Sequence, residues 1–225
     1  MEFKRHNNIE YIEKKPAKCS EKMPALIYLH GAGTRQGTLK ALSENPFYAE
    51  SCLFSREDSD FVCFTPLCYA NSWFDIFEQL QDFVNEIVSR PDIDKKRVYL
   101  MGASMGGYGT WQLAMSMPDT FAAIVPICGG GMYWNVWELH TTYVWAFHGK
   151  EDDCVFPEES VKMVNAINSQ EGNLRPKLTL IDNVAHDAWN TALASKELYD
   201  WLLSKTKLNG DETENTAFAD GKKFG

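Results

Sequence analysis

Six short apolar runs alternate with stretches of helical periodicity, and this alternation limits what the chain can fold into more than any other feature. The runs are ALIYLH (Ala25–His30), FVCFTPL (Phe61–Leu67), VYLMG (Val98–Gly102), AAIVPIC (Ala122–Cys128), YVWAFH (Tyr143–His148) and KLTLI (Lys177–Ile181). Most are continuously apolar rather than alternating, as strands covered on both faces are. Helical patterns fall between them, at about 72–90, 104–117, 157–169 and 188–203. In the first, Phe77, Leu80, Val84, Ile87 and Val88 make one apolar face, and Pro91 follows as a stop. Pro157 with Glu158 and Glu159 opens another, the acids suiting the positive end of the helix dipole. The expectation is an α/β fold: a mainly parallel sheet with helices on both faces. The segment IEYIEKK is expected to add an antiparallel edge strand.

The chain has 225 residues, compatible with one α/β domain over 1–204. The polar, aperiodic stretch 205–225 is expected to be a disordered tail. A net charge of −9 argues against a nucleic-acid partner, which needs a positive footprint. No apolar run approaches a membrane span, and the first residues hold no secretory apolar region. The six cysteines form no C-x-x-C pair and read as inert buried thiols. Together these features suggest a cytoplasmic protein. Oligomeric state is open.

Within LMGASMGGYGTW, Ser104 stands between Gly102 and Gly106, after a strand and before a helix. Glycines there let strand and helix approach closely and push the hydroxyl above the sheet's carboxyl rim, which is the G-x-S-x-G nucleophile elbow. The N–H of Met105, at the helix start, can donate to a developing oxyanion. LHGAG supplies a second donor candidate, the Ala32 N–H.

A serine nucleophile needs a base, and the base an orienting acid, in the order Ser, acid, His on this scaffold. His186, after the strand KLTLI, shares the rim with Ser104; His148 ends a strand and is expected to pack beneath it. The acid comes from GKEDD, with Asp152 the choice and Asp153 open as the alternative.

LHGAG, GASMGGYGTW, AFHGKEDD…FPEES and AHDAW together resemble the α/β-hydrolase superfamily, most closely its small lidless esterases of the phospholipase/carboxylesterase, dienelactone-hydrolase-like and feruloyl-esterase-like group. The resemblance runs from Ala25 to Leu203 and implies a Ser104–Asp152–His186 triad. Pro157 stands one residue later than the commonest spacing after the acid, which keeps Asp153 open. The implied activity is hydrolysis of a small-molecule carboxylic ester, of small or aromatic acyl groups, with no metal or organic cofactor. A thioesterase, lysophospholipase or peptidase on the same scaffold is the alternative, and a non-catalytic binding protein a remote one. GGGMYWNVWELHTT leaves no room for a large lid, and Trp73, Trp134 and Trp137 are candidate aromatic walls of the substrate pocket.

Overall fold

A computed structural model describes residues 1–45 and 60–208. Cys52 and the greater part of the expected tail, 209–225, lie outside the described residues. The strands are β1 (Glu2–His6), β2 (Ile9–Lys14), β3 (Met23–Leu29), β4 (Val62–Pro66), β5 (Ile93–Ala103), β6 (Ala123–Ile127), β7 (Tyr143–Gly149) and β8 (Lys177–Ile181). Among the described residues, the α-helices are α1 (Leu39–Glu44), α2 (Phe77–Ser89), α3 (Met105–Ser116), α4 (Glu158–Ser169), α5 (Trp189–Ala194) and α6 (Lys196–Leu203). All eight strands form one sheet in the order β1-β2-β4-β3-β5-β6-β7-β8. The β1–β2 and β2–β4 pairs are antiparallel, and every pair from β4 to β8 is parallel.

The pleat divides the core in two. Ala25, Ile27 and Leu29 of β3 face α2, α3 and α4 with Leu80, Phe83, Trp111 and Met163. Leu26 and Tyr28 face the opposite way, toward Leu39 and Leu42 of α1, Leu193 of α5 and Leu198 and Leu202 of α6. Every residue of β3, β4 and β6 is buried, which explains their unbroken apolar runs. No helix among the described residues is long and apolar enough to cross a membrane.

The differences from the sequence reading have local causes. IEYIEKK is a strand but not the edge; β1, mostly polar and exposed, lies outside it, with Phe3 opposite Ile12. Helix α2 begins at Phe77 rather than Ser72, because Ser72 and Asp75 exchange hydrogen bonds in a turn: the Ser72 N–H donates to Asp75 Oδ2 (2.9 Å) and the Asp75 N–H to Ser72 Oγ (3.3 Å). The last helical stretch is two helices, since Ser195 is extended (φ −75°, ψ 112°) and its hydroxyl accepts the Leu198 N–H, capping α6. Residues just past 204 are not free: Lys205 O accepts the Tyr99 hydroxyl (2.8 Å) and the Lys207 N–H donates to Lys96 O (2.8 Å). Cys63, Cys68 and Cys128 are buried as expected, but Cys19 and Cys154 are exposed.

Candidate active site

Strand register assembles the site. Leu29 lies beside Gly102, Ala103 beside Ile127, Ile127 beside Phe147, and Gly149 beside Ile181. The loops leaving β3, β5, β6, β7 and β8 therefore open next to one another at the carboxyl rim, where parallel sheets present ligand sites.

Ser104 joins β5 to α3 with φ 55° and ψ −118°, a strained conformation for a residue with a Cβ. Its N–H donates to Ile127 O (2.9 Å) and its carbonyl accepts the Tyr108 N–H (3.0 Å), so the turn is held on both sides. A Cβ on Gly106 would stand 1.9 Å from Leu29 O, and one on Gly102 2.3 Å from Gly106 O. Both glycines are thus dictated by the close approach of α3 to the sheet.

His186 lies in the loop after β8. Its Nε2 is 2.8 Å from Ser104 Oγ and its Nδ1 is 2.7 Å from Asp152 Oδ2. An ionised carboxylate only accepts, so the proton sits on Nδ1 and Nε2 is free to accept from the serine hydroxyl. Asp152, in the loop after β7, is 3% exposed. Its Oδ1 accepts the N–H groups of Cys154 (3.0 Å) and Val155 (2.9 Å). Burial alone would raise its pKa, but the His186 and backbone hydrogen bonds outweigh it and hold the carboxyl below its ordinary value. Asp153 is exposed, so of the two adjacent acids it is Asp152 that faces the imidazole.

A second histidine lies behind the acid. His148 is fully buried, with Nε2 2.8 Å from Val155 O and 3.2 Å from Asp152 Oδ2. Because a carbonyl only accepts, Nε2 carries a proton, shared between Val155 and Asp152. Its Nδ1 meets Ser160 Oγ (2.7 Å), which also reaches Gly129 O (2.9 Å).

The loop after β3 lies against the serine, a Cβ on Gly31 falling 3.5 Å from Ser104 Cβ. His30 fixes this loop: Nδ1–H donates to Gly31 O (2.7 Å) and Nε2 accepts the Cys68 N–H (3.0 Å). Burial, opposed in part by the Gly31 carbonyl, lowers the His30 pKa to about 4, so the ring is neutral at pH 7. Ala32 opens a 3₁₀ turn (Ala32–Thr34) and Met105 opens α3, so neither N–H has a helical acceptor. A cavity of about 480 Å³ spans the site, lined by Gly31, Ala32, Ser104, Asn45, His186 and Trp189 among others.

The aromatic expectations fare differently. Trp73 presents no surface to any substrate: it is fully buried, and its Nε1–H donates to His30 O (3.0 Å), making it a prop of the loop instead. Trp134 and Trp137 are exposed (67% and 55%) and line neither this cavity nor the one described below. Among the described residues, Trp189 lines the site, edge-on to the His186 ring at 5.3 Å. Its only sequence signal is its place three residues after His186. Among the described residues, Cys128, Asp152 and His186 bring metal-ligating atoms within 4.8 Å of one another. Asp152 and His186 already bond each other through them, and burial pushes the Cys128 thiol up to about 12, away from the thiolate a metal requires.

This strand order and rim geometry define an α/β-hydrolase fold. Comparison with known proteins agrees: the chain is similar to solved α/β-hydrolase structures that are esterases. Against a thermostable esterase it is 26% identical with a TM-score of 0.72, covering 88% of this chain and 60% of that one. Against Est1E from Butyrivibrio proteoclasticus with ferulic acid bound it is 14% identical, TM-score 0.64, covering 91% and 99%. Against a mutant of the feruloyl esterase module from Clostridium thermocellum complexed with sinapinate it is 13% identical, TM-score 0.63, covering 86% and 81%. Residues 73–147 match the prolyl oligopeptidase family. No curated protein matches the sequence. The chain spans about 60% of the length of the thermostable esterase.

Proposed function

We propose that the protein is a serine hydrolase that cleaves carboxylic esters through an acyl-enzyme. The observation that carries this reading is the continuous hydrogen-bond chain from Ser104 Oγ through His186 to Asp152. In the first half-reaction Ser104 Oγ attacks the ester carbonyl while His186 Nε2 takes the hydroxyl proton. The N–H groups of Ala32 and Met105 receive the charge that develops on the carbonyl oxygen; one such donor is worth about 3 kcal/mol of barrier. Collapse breaks the bond to the alcohol, which leaves with the proton from His186. Water then attacks the acyl-serine by the same route, releasing the acid and restoring the hydroxyl. Asp152 holds the imidazole tautomer and steadies its positive form. No step calls for a metal or organic cofactor.

Small or aromatic acyl esters are the proposed substrates. The ferulic acid bound by Est1E supports this. The free thiols at Cys19, Cys68, Cys128 and Cys154 support a cytoplasmic setting. A peptidase is the second reading, favoured by the match of residues 73–147 to the prolyl oligopeptidase family.

Labelling with a fluorophosphonate tests the mechanism. The adduct is expected on Ser104 by peptide mass spectrometry, with Ser104-dependent release from p-nitrophenyl acetate; an adduct elsewhere, or none, would sink the reading. Faster turnover of a peptide p-nitroanilide than of the ester would favour the peptidase.

A further inference from the structure

Helix α3 is buried on every side but one. Its half-exposed positions are Met105, Tyr108, Gln112 and Ser116, which with Ser104 make a stripe at helical spacing leading away from the serine. A second cavity, of about 570 Å³, lies along this stripe, lined by Phe74, Phe77, Tyr108, Gln112, Met132 and Glu159. Phe74 and Phe77 are stacked at one wall, ring centroids 6.4 Å apart and planes 23° from parallel. At 1.5 Å per residue, Tyr108 lies roughly 6 Å and Gln112 roughly 12 Å along the helix from Ser104. Tyr108 lines the second cavity: burial first, then the nearby Glu159, Asp152 and Cys154, raise its pKa, so it presents a neutral hydroxyl. Cys154 lines the first cavity and Glu159 the second.

The order of bond breaking assigns the two cavities to the two halves of an ester. Four substituents surround the tetrahedral carbon. One is Ser104 Oγ, and another is the oxyanion, facing the N–H groups of Ala32 and Met105. The leaving oxygen must reach His186 Nε2 to take its proton, so the alcohol lies on the side of His186 and Trp189, in the first cavity. The acyl group is left to run away from His186, along the exposed stripe of α3.

We propose that the second cavity is the acyl-binding site, and that it selects acyl groups bearing a flat apolar body, such as a phenyl ring, several bonds beyond the carbonyl. The proposal rests on the serine-hydrolase reading and deepens it. Stacked Phe74 and Phe77 and the Met132 side chain offer the ring its apolar contacts. Gln112 and Glu159 give the cavity a polar margin.

The test holds the leaving group constant. p-Nitrophenyl acetate and p-nitrophenyl 4-phenylbutanoate are compared in the wild type, Phe74→Ala and Met132→Ala. The ratio of kcat/KM, phenylbutanoate over acetate, is expected to exceed 10 in the wild type and to fall about tenfold in each variant. A ratio unchanged by both substitutions overturns the proposal while leaving Ser104-dependent hydrolysis intact. Acetate esters of short and phenyl-bearing alcohols form the second series. If the substitutions flatten that series instead, the cavity takes the alcohol and the assignment is wrong. Binding of free 4-phenylbutanoate to Ser104→Ala, followed by calorimetry, reads the cavity without turnover. Weakening of at least tenfold by Phe74→Ala supports it even if the hydrolase reading fails, and equal binding refutes it.

Discussion

His148 Nε2 lies 3.2 Å from Asp152 Oδ2, the same oxygen that meets His186 Nδ1 at 2.7 Å. The carboxylate is therefore gripped from both sides, with its other oxygen held by two backbone N–H groups. Such a clamp fixes the angle at which Asp152 addresses His186, and a misplacement of about 1 Å can cost a hundredfold in rate. His148→Leu is expected to lower kcat about 10- to 100-fold with KM near the wild-type value. His148→Gln, whose amide can still donate toward Val155 O, should recover part of the loss. Equal kcat in the wild type and His148→Leu would show that the second imidazole only packs.

Asp152→Asn should leave the fold intact and lower kcat by about 10,000-fold, because the amide no longer fixes the Nδ1–H tautomer of His186. Asp153→Asn should stay within about threefold of wild type, since that side chain is exposed and a solvated charge contributes little. Steady-state kinetics on p-nitrophenyl acetate separates the two; a larger loss at Asp153 would reverse the assignment.

Ser104→Ala and His186→Ala are each expected to reduce kcat by about 10,000-fold or more, and the double variant little further, because residues that act as a unit are not additive. A double variant far slower than either single one would mean that serine and imidazole act separately.

Gly106→Ala should destabilise the protein by about 3 kcal/mol or more. Its added Cβ would stand 1.9 Å from the Leu29 backbone oxygen, and backbone cannot swing aside as a side-chain end can. The urea midpoint of the purified variant, or loss of soluble protein, measures it. A midpoint equal to that of wild type would show that α3 shifts freely.

Stability should fall in acid through one buried cluster. Arg90 donates to both oxygens of Glu13 (2.8 and 3.1 Å) and to both of Asp92 (2.9 and 2.7 Å), and the Glu13 side chain is 1% exposed. The Arg90 hydrogen bonds lower Asp92 to about 2. Burial would raise Glu13, but the bonds from Arg90 and Lys4 override it and its pKa is lowered. Both carboxyls have folded values below their unfolded ones, so their contribution is complete above an unfolded value of about 4 and is lost as pH falls toward 2. Arg90→Met, which leaves Glu13 with Lys4 and Lys15, should cost about 3 kcal/mol at pH 7. It should also flatten the fall in stability between pH 4 and 2. Thermal melts across pH give both quantities, and parallel curves for wild type and variant would exclude the cluster as the cause.

The sequence by itself determined the layered α/β architecture and the elbow. Continuous apolar runs are legible because strands buried on both faces need no alternation, and Gly102 and Gly106 are legible because only glycine tolerates that approach of helix to strand. Strand β1 was not legible, since a short, mostly polar edge strand carries little periodic signal. Nor was the division of the last helix, which turns on one serine hydroxyl choosing to cap. Which of Asp152 and Asp153 meets His186, the burial of Trp73, the clamp from His148 and the nearness of Trp189 to the serine are visible only in the tertiary structure. These depend on which way side chains point from loops that meet only once the strands are in register. Spacing along one chain carries no record of that direction.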